Sequence, residues 1–108
     1  MDEKTAALTA KNGTWLSTQP FIDANDTGPL TGPALEKSRE VFAGTDNTYN
    51  LARKHGIKTA FGTDMLFSPA LAARQGIMLT HLTRWYSAAE ALRMATATNA
   101  QLLALLGA

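Results

Sequence analysis

"KTAFGTDMLFSP", residues 58–69, is the stretch on which the reading of the fold turns. Thr59, Ala60 and Phe61 suit a buried strand. Gly62-Thr63-Asp64 then turns the chain, and Ser68-Pro69 opens a helix, because proline fits the first helical turn. A strand that hands over to a helix is half of a parallel crossover unit. Asp64 stands at that handover. A carboxylate there either caps a turn or holds a metal.

Upstream, "KHG" closes a long helix that begins near Pro33. Lys54 and His55 sit against the negative end of its dipole, and Gly56 supplies the turn beyond it. Leu35, Phe42 and Tyr49 recur on one face, with Val41 and Ala52 beside them. Gly44 is a weak point inside this helix. Before it, "IDANDTGPLTGP" reads as a long surface loop. Before that, Trp15, Leu16 and Thr18 of "GTWLSTQPF" favour a strand, which Pro20 ends. Asp2 is placed to cap a first helix that runs to Lys11 and stops at Asn12-Gly13.

Downstream the chain is helical. Pro69 begins a helix through about Leu82. Ser87 and Glu90 form a capping box for the next, and Thr98 and Gln101 repeat it for the last, sealed by Gly107. The expected order is α-β-α-β-α-α-α, with "IKTAFG" as a strand buried on both faces. Strands alternating with helices imply a parallel sheet. Two parallel strands alone leave two sheet edges open, so the chain looks like a slice of something larger.

At 108 residues the chain is a single unit, 45% hydrophobic, with a net charge of +1. That charge gives no footprint for nucleic acid or an anionic membrane. The absence of cysteine excludes disulfides, thiolate–metal sites and a cysteine nucleophile. "MDEKTAALTA" is acidic and has no long apolar run, so neither a signal peptide nor a transmembrane helix is read there, and the compartment stays open.

The run from "GIKTAFGTDMLFSPA" to "SAAEALRMATATNAQLLALLG" resembles the C-terminal part of the amidohydrolase superfamily, in the branch of imidazolonepropionase-like and prolidase-type metal-dependent hydrolases. In that family a Gly-Thr-Asp-like motif ends the eighth barrel strand. A helix follows, and then a signature matched here by Ser87, Glu90, Ala91, Leu92, Ala95, Thr96, Ala100, Leu103 to Leu106 and Gly107. "GTWLSTQPF" fits the seventh strand, so the similarity covers nearly the whole chain. The resemblance implies an α/β fold, a partial (β/α)8 TIM barrel of about the last two βα units plus C-terminal helices. Residues 1–108 would be one segment truncated at both ends.

The resemblance also implies a chemistry. Family members hydrolyse C–N bonds of amides, peptides or cyclic imides with water activated by one or two divalent metals such as zinc. A metal lowers the pKa of bound water to about 7, and a nearby carboxylate can take the proton. Asp64 matches the family's metal-binding and proton-accepting aspartate at the C-terminal mouth of the barrel. Gln19, after the earlier strand, matches a place where substrate is contacted, although a loop hydrogen bond beside Pro20 explains it as well. Met65, Leu66 and Phe67 either line a substrate pocket or pack.

No His-x-His occurs, and His55 and His81 fall in helices away from the family's ligand positions. His55 reads as a helix-end cation and His81 as a packed or solvated helix histidine. Trp85-Tyr86 reads as the anchor of a helix junction. The isolated chain is expected to bind no metal tightly and to be inactive. It is expected to self-associate or to pair with a complementary N-terminal barrel chain. A reading from another class is a non-catalytic, self-associating α/β module that uses its open strands and apolar faces.

Overall fold

The computed structural model describes residues 1–22, 31–64, 69–105 and 107. The chain starts with helix α1, Glu3–Lys11, whose first turn is capped by Asp2 accepting from the Thr5 amide at 2.7 Å. Helix α1 stops where expected, at Asn12, and Gly13 follows at a φ of 65°. Strand β1, Leu16–Thr18, comes next, then helix α2, Pro33–His55, and strand β2, Thr59–Phe61. The strands pair in parallel, with Leu16 opposite Thr59, Ser17 opposite Ala60 and Thr18 opposite Phe61.

Helix α2 connects the two strands and organises the core. Thr45, Tyr49, Leu51 and Ala52 are buried along it, with Leu35 and Phe42 half-buried on the same side. Val41 is 55% exposed, contrary to expectation. It sits about 100° around the helix from Phe42, which carries it off the buried stripe. Gly44 does not interrupt the helix, because its cost of about 1 kcal/mol is small against the packing on either side. The end of α2 closes tightly. Gly56 takes a φ of 65°, its amide bonds to Arg53 O, and the Ile57 amide reaches back to Ala52 O at 2.9 Å. That pair of bonds satisfies two carbonyls that a helix end otherwise leaves open.

The expected partial (β/α)8 barrel is not the fold. The described residues are predominantly helical, and their sheet has two strands of three residues each. Strands so short cannot present a barrel wall. The apolar side chains enter helix–helix packing instead. One core cluster joins Tyr49, Leu82, Trp85, Ala91 and Met94, with Phe61 of β2 against it. A second joins Ala6 of α1 to Leu51, Ala52 and Ile57. Thr59 and Ala60 are buried, as read from the sequence.

Two expected helices differ. The helix read from Pro69 to Leu82 is broken into α3, Pro69–Ala72, and α4, Gln75–His81, followed by a 3₁₀ turn over Leu82–Arg84. The break falls at Arg74, with φ −88° and ψ 5°, just before Gly76, a poor helix former. The second difference is at Thr98, which caps nothing. Helix α5, Ala88–Arg93, runs through a π-turn, Met94–Thr98, into α6, Asn99–Ala104. Thr98 is helical, and its side chain makes no cap bond. Nothing in "RMATATNA" stops a helix, so a second start is not required. Of the capping box expected at Ser87, the N-cap half forms, with Ser87 Oγ accepting from the Glu90 amide at 3.1 Å.

Candidate functional site

Asp64 follows β2 by three residues, at the end of the parallel pair where β1 delivers Gln19. The sequence therefore brings its two candidate residues to one end of the sheet. Asp64 is exposed and holds a φ of 52°, the one non-glycine residue with positive φ among those described. Left-handed backbone is uncommon for a residue with a Cβ, and aspartate is among the few that tolerate it. Beside it, the Thr63 hydroxyl reaches Gln75 Oε1 at 3.5 Å, joining the turn to α4.

Gln19 is half-buried and sits in a tight turn, in which the Phe21 amide bonds to Gln19 O at 2.9 Å. The next residue, Pro20, is fully buried, and its carbonyl accepts from His81 Nδ1 at 3.1 Å. His81 thus ties α4 to the end of β1. Met65, Leu66 and Phe67 lie outside the described residues, as do Asp23 to Leu30 of the long loop.

Among the described residues, no group of three His, Cys, Asp or Glu side chains converges. A catalytic zinc takes about three protein ligands, and Asp64 offers one. These residues by themselves do not fit a divalent metal centre. His55 lies at the far end of α2, where its Nε2 meets Glu3 Oε1 at 3.0 Å beside Lys54 Nζ at 2.6 Å. Those contacts hold α1 against α2 and lower the Glu3 pKa, Lys54 being the first cause.

Trp85 and Tyr86 do anchor a junction. The Tyr49 and Trp85 rings stack at 4.3 Å, and Tyr86 meets Tyr49 edge-on at 6.3 Å. The indole N–H donates to Asp46 Oδ1 at 2.8 Å, and Arg84 Nε donates to the same oxygen at 3.0 Å. Across the stack, Tyr49 Oη donates to Thr18 O at 3.0 Å. A single aromatic cluster thereby fixes α2, β1 and the start of α5. Burial raises the pKa of both tyrosines, so each hydroxyl stays a proton donor.

Two features escaped the sequence reading. The first is Asn99, whose side chain bonds the backbone of Phe61 in both directions: Phe61 N–H to Oδ1 at 2.9 Å, and Nδ2 to Phe61 O at 2.9 Å. The second is a cleft of about 380 Å³ at the opposite end of β2 from Asp64, walled by the end of α2, residues 56–59 and the α5–π-turn–α6 helix. The run "TATN" carried a signal for both. Three residues that favour caps and turns lie inside a helical segment, which marks an irregular helix.

No family model, curated protein or solved structure matches this chain.

Proposed function

We propose that the chain is one part of a metal-dependent amidohydrolase acting on C–N bonds, and that its contribution to the site is Asp64. The observation that carries this reading is the placement of Asp64: exposed, in left-handed backbone, at the C-terminal end of a parallel strand pair. Strained positions of that kind collect at functional sites. The motif resemblance supplies the reaction class. In this reading Asp64 accepts the proton of the attacking water and returns it to the leaving amine. The remaining ligands come from a second polypeptide surface, because the described residues lack them.

The exposed area supports a missing partner. Among the described residues, Leu8, Leu92, Leu103 and Leu105 are each more than half exposed, apolar surface that burial against a partner would stabilise.

A complementation assay tests the proposal. The chain is co-expressed with an amidohydrolase that lacks its own proton-accepting aspartate. The expected result is restored hydrolysis of acyl-amino acids or dipeptides by the wild-type chain, and none by Asp64→Asn. Equal activity with both chains, or no activity with either despite a stable complex, overturns it.

A second reading rests on a different observation. Leu16 and Thr18 face β2, so alternation turns the amide and carbonyl of Ser17 to the free edge of β1. No hydrogen bond covers them among the described residues. An open edge favours a non-catalytic module that pairs with its own copies.

A further inference from the structure

The cleft at the N-terminal end of β2 has the makings of a binding site of its own. Its floor is apolar: Ala52, Ile57 and Met94 are all buried. Its rim carries three cations, Arg53, Lys58 and Arg93, against one acid, Glu90. At about 380 Å³ it falls in the range of small-ligand pockets.

The charge is not neutralised from within. Arg53 donates through Nη1 to Trp85 O, a contact that orients the guanidinium without cancelling it. Lys58 lies 5.6 Å from the centre of the Trp15 ring, again keeping its charge. Arg93 has no ion-pair partner among the described residues. The negative end of α2 would oppose an anion here, but the Ala52 and Arg53 carbonyls are already engaged by the Ile57 and Gly56 amides.

A donor waits in the same cleft. The Tyr86 hydroxyl is buried and makes no hydrogen bond among the described residues. The Thr59 hydroxyl lies near enough to temper the rise in the tyrosine pKa, yet it does not close a bond, and it donates to Ile57 O at 3.1 Å. A buried polar group without a partner is costly, so a ligand acceptor at this point is favoured. One wall of the cleft is the π-turn, with Met94 and Thr98 facing the space. Such turns are rare and are found frequently at functional sites.

We propose that this cleft binds a small molecule with an anionic group and an apolar body, the anion being held by Arg53, Lys58 and Arg93 and by the Tyr86 hydroxyl, the body lying on Ile57 and Met94. The site lies at the other end of β2 from Asp64 and does not depend on the hydrolase reading.

Phenyl phosphate is the probe, followed by amide chemical shifts, with sodium chloride at matched ionic strength as the control. Saturable shifts are expected at residues 56–59 and 94–101, at millimolar concentration or below. Inorganic phosphate should bind more weakly, for want of the ring. Lys58→Gln and Arg93→Gln, both exposed and outside the core, should each weaken binding about fivefold. The double variant should weaken it about 25-fold while keeping a dispersed spectrum. Asp64→Asn should bind as the wild type does. Absent shifts, shifts centred elsewhere, undiminished binding by the double variant, or loss of binding in Asp64→Asn would each overturn the proposal.

Discussion

Asn99 serves Phe61 as a third strand would, accepting from its amide and donating to its carbonyl, both at 2.9 Å. In a parallel strand the amide and carbonyl of one residue point the same way, and those of the next point the other way. Ala60 faces β1, so Phe61 faces the free edge. One primary amide on a helix matches that spacing and closes the edge of β2 where it is partly buried. The sheet edge expected to be open on this side is therefore covered. It also explains an asparagine, a weak helix former, at the head of α6.

Removing this clamp should cost stability without changing the fold. Asn99→Ala leaves a part-buried amide and carbonyl without partners, for a loss of about 1–3 kcal/mol. Asn99→Asp keeps the bond from the Phe61 amide but sets a carboxylate oxygen against the Phe61 carbonyl, and should be at least as damaging. Urea unfolding of the three chains checks both. An Asn99→Ala midpoint equal to wild type would show that water replaces the clamp at no cost.

The Asp46 carboxylate makes stability depend on acidity. Its pKa is held below the usual 3.8, first by the Trp85 indole N–H and then by Arg84, with partial burial opposing. A carboxylate with a lowered folded pKa contributes stability that is complete above the unfolded value and is lost as pH falls through the folded one. Stability should therefore decline as pH drops below about 4. Asp46→Asn should flatten that decline, leaving the parts due to Asp2 and Glu3, whose pKa values are also lowered. Thermal unfolding from pH 2 to 6 measures the difference, and parallel curves would exclude Asp46 as a source.

The backbone at Asp64 separates conformation from charge. Asp64→Asn keeps a side chain that tolerates left-handed φ and should unfold within about 0.5 kcal/mol of wild type. Asp64→Val places a β-branched residue at φ 52° and should lose about 1–2 kcal/mol. Denaturant midpoints decide the ranking. A valine variant as stable as the asparagine one would mean that this turn relaxes to negative φ.

Association is expected to run through the free edge of β1. Ser17→Pro removes the one amide donor there, at an edge position where proline is tolerated. Sedimentation across a concentration series should show the wild-type chain growing in mass and the variant doing so less. A wild-type chain that stays monomeric at micromolar concentration, with dilution-independent unfolding, would leave the β1 edge covered within the molecule.

Much of the local structure was legible in the sequence because its causes are local. Asp2, Ser87 and Gly56 set helix ends through bonds that span three to five residues, and all three act where the sequence placed them. The 3.6-residue spacing of Leu35, Phe42 and Tyr49 picked out the buried face of α2. The short strands at β1 and β2 follow from their residue types, and their parallel pairing from the long helix between them. Tertiary structure decided the rest. Asn99 meets Phe61 across 38 positions, and "TATN" marks an irregular helix without saying which strand it meets. Arg53, Lys58, Tyr86 and Arg93 line one cleft only because the π-turn packs against β2 beside the end of α2. The barrel expectation failed for the same reason. A motif specifies the turn around Asp64, but how many strands flank it depends on where the apolar side chains find partners, and here they find them on other helices.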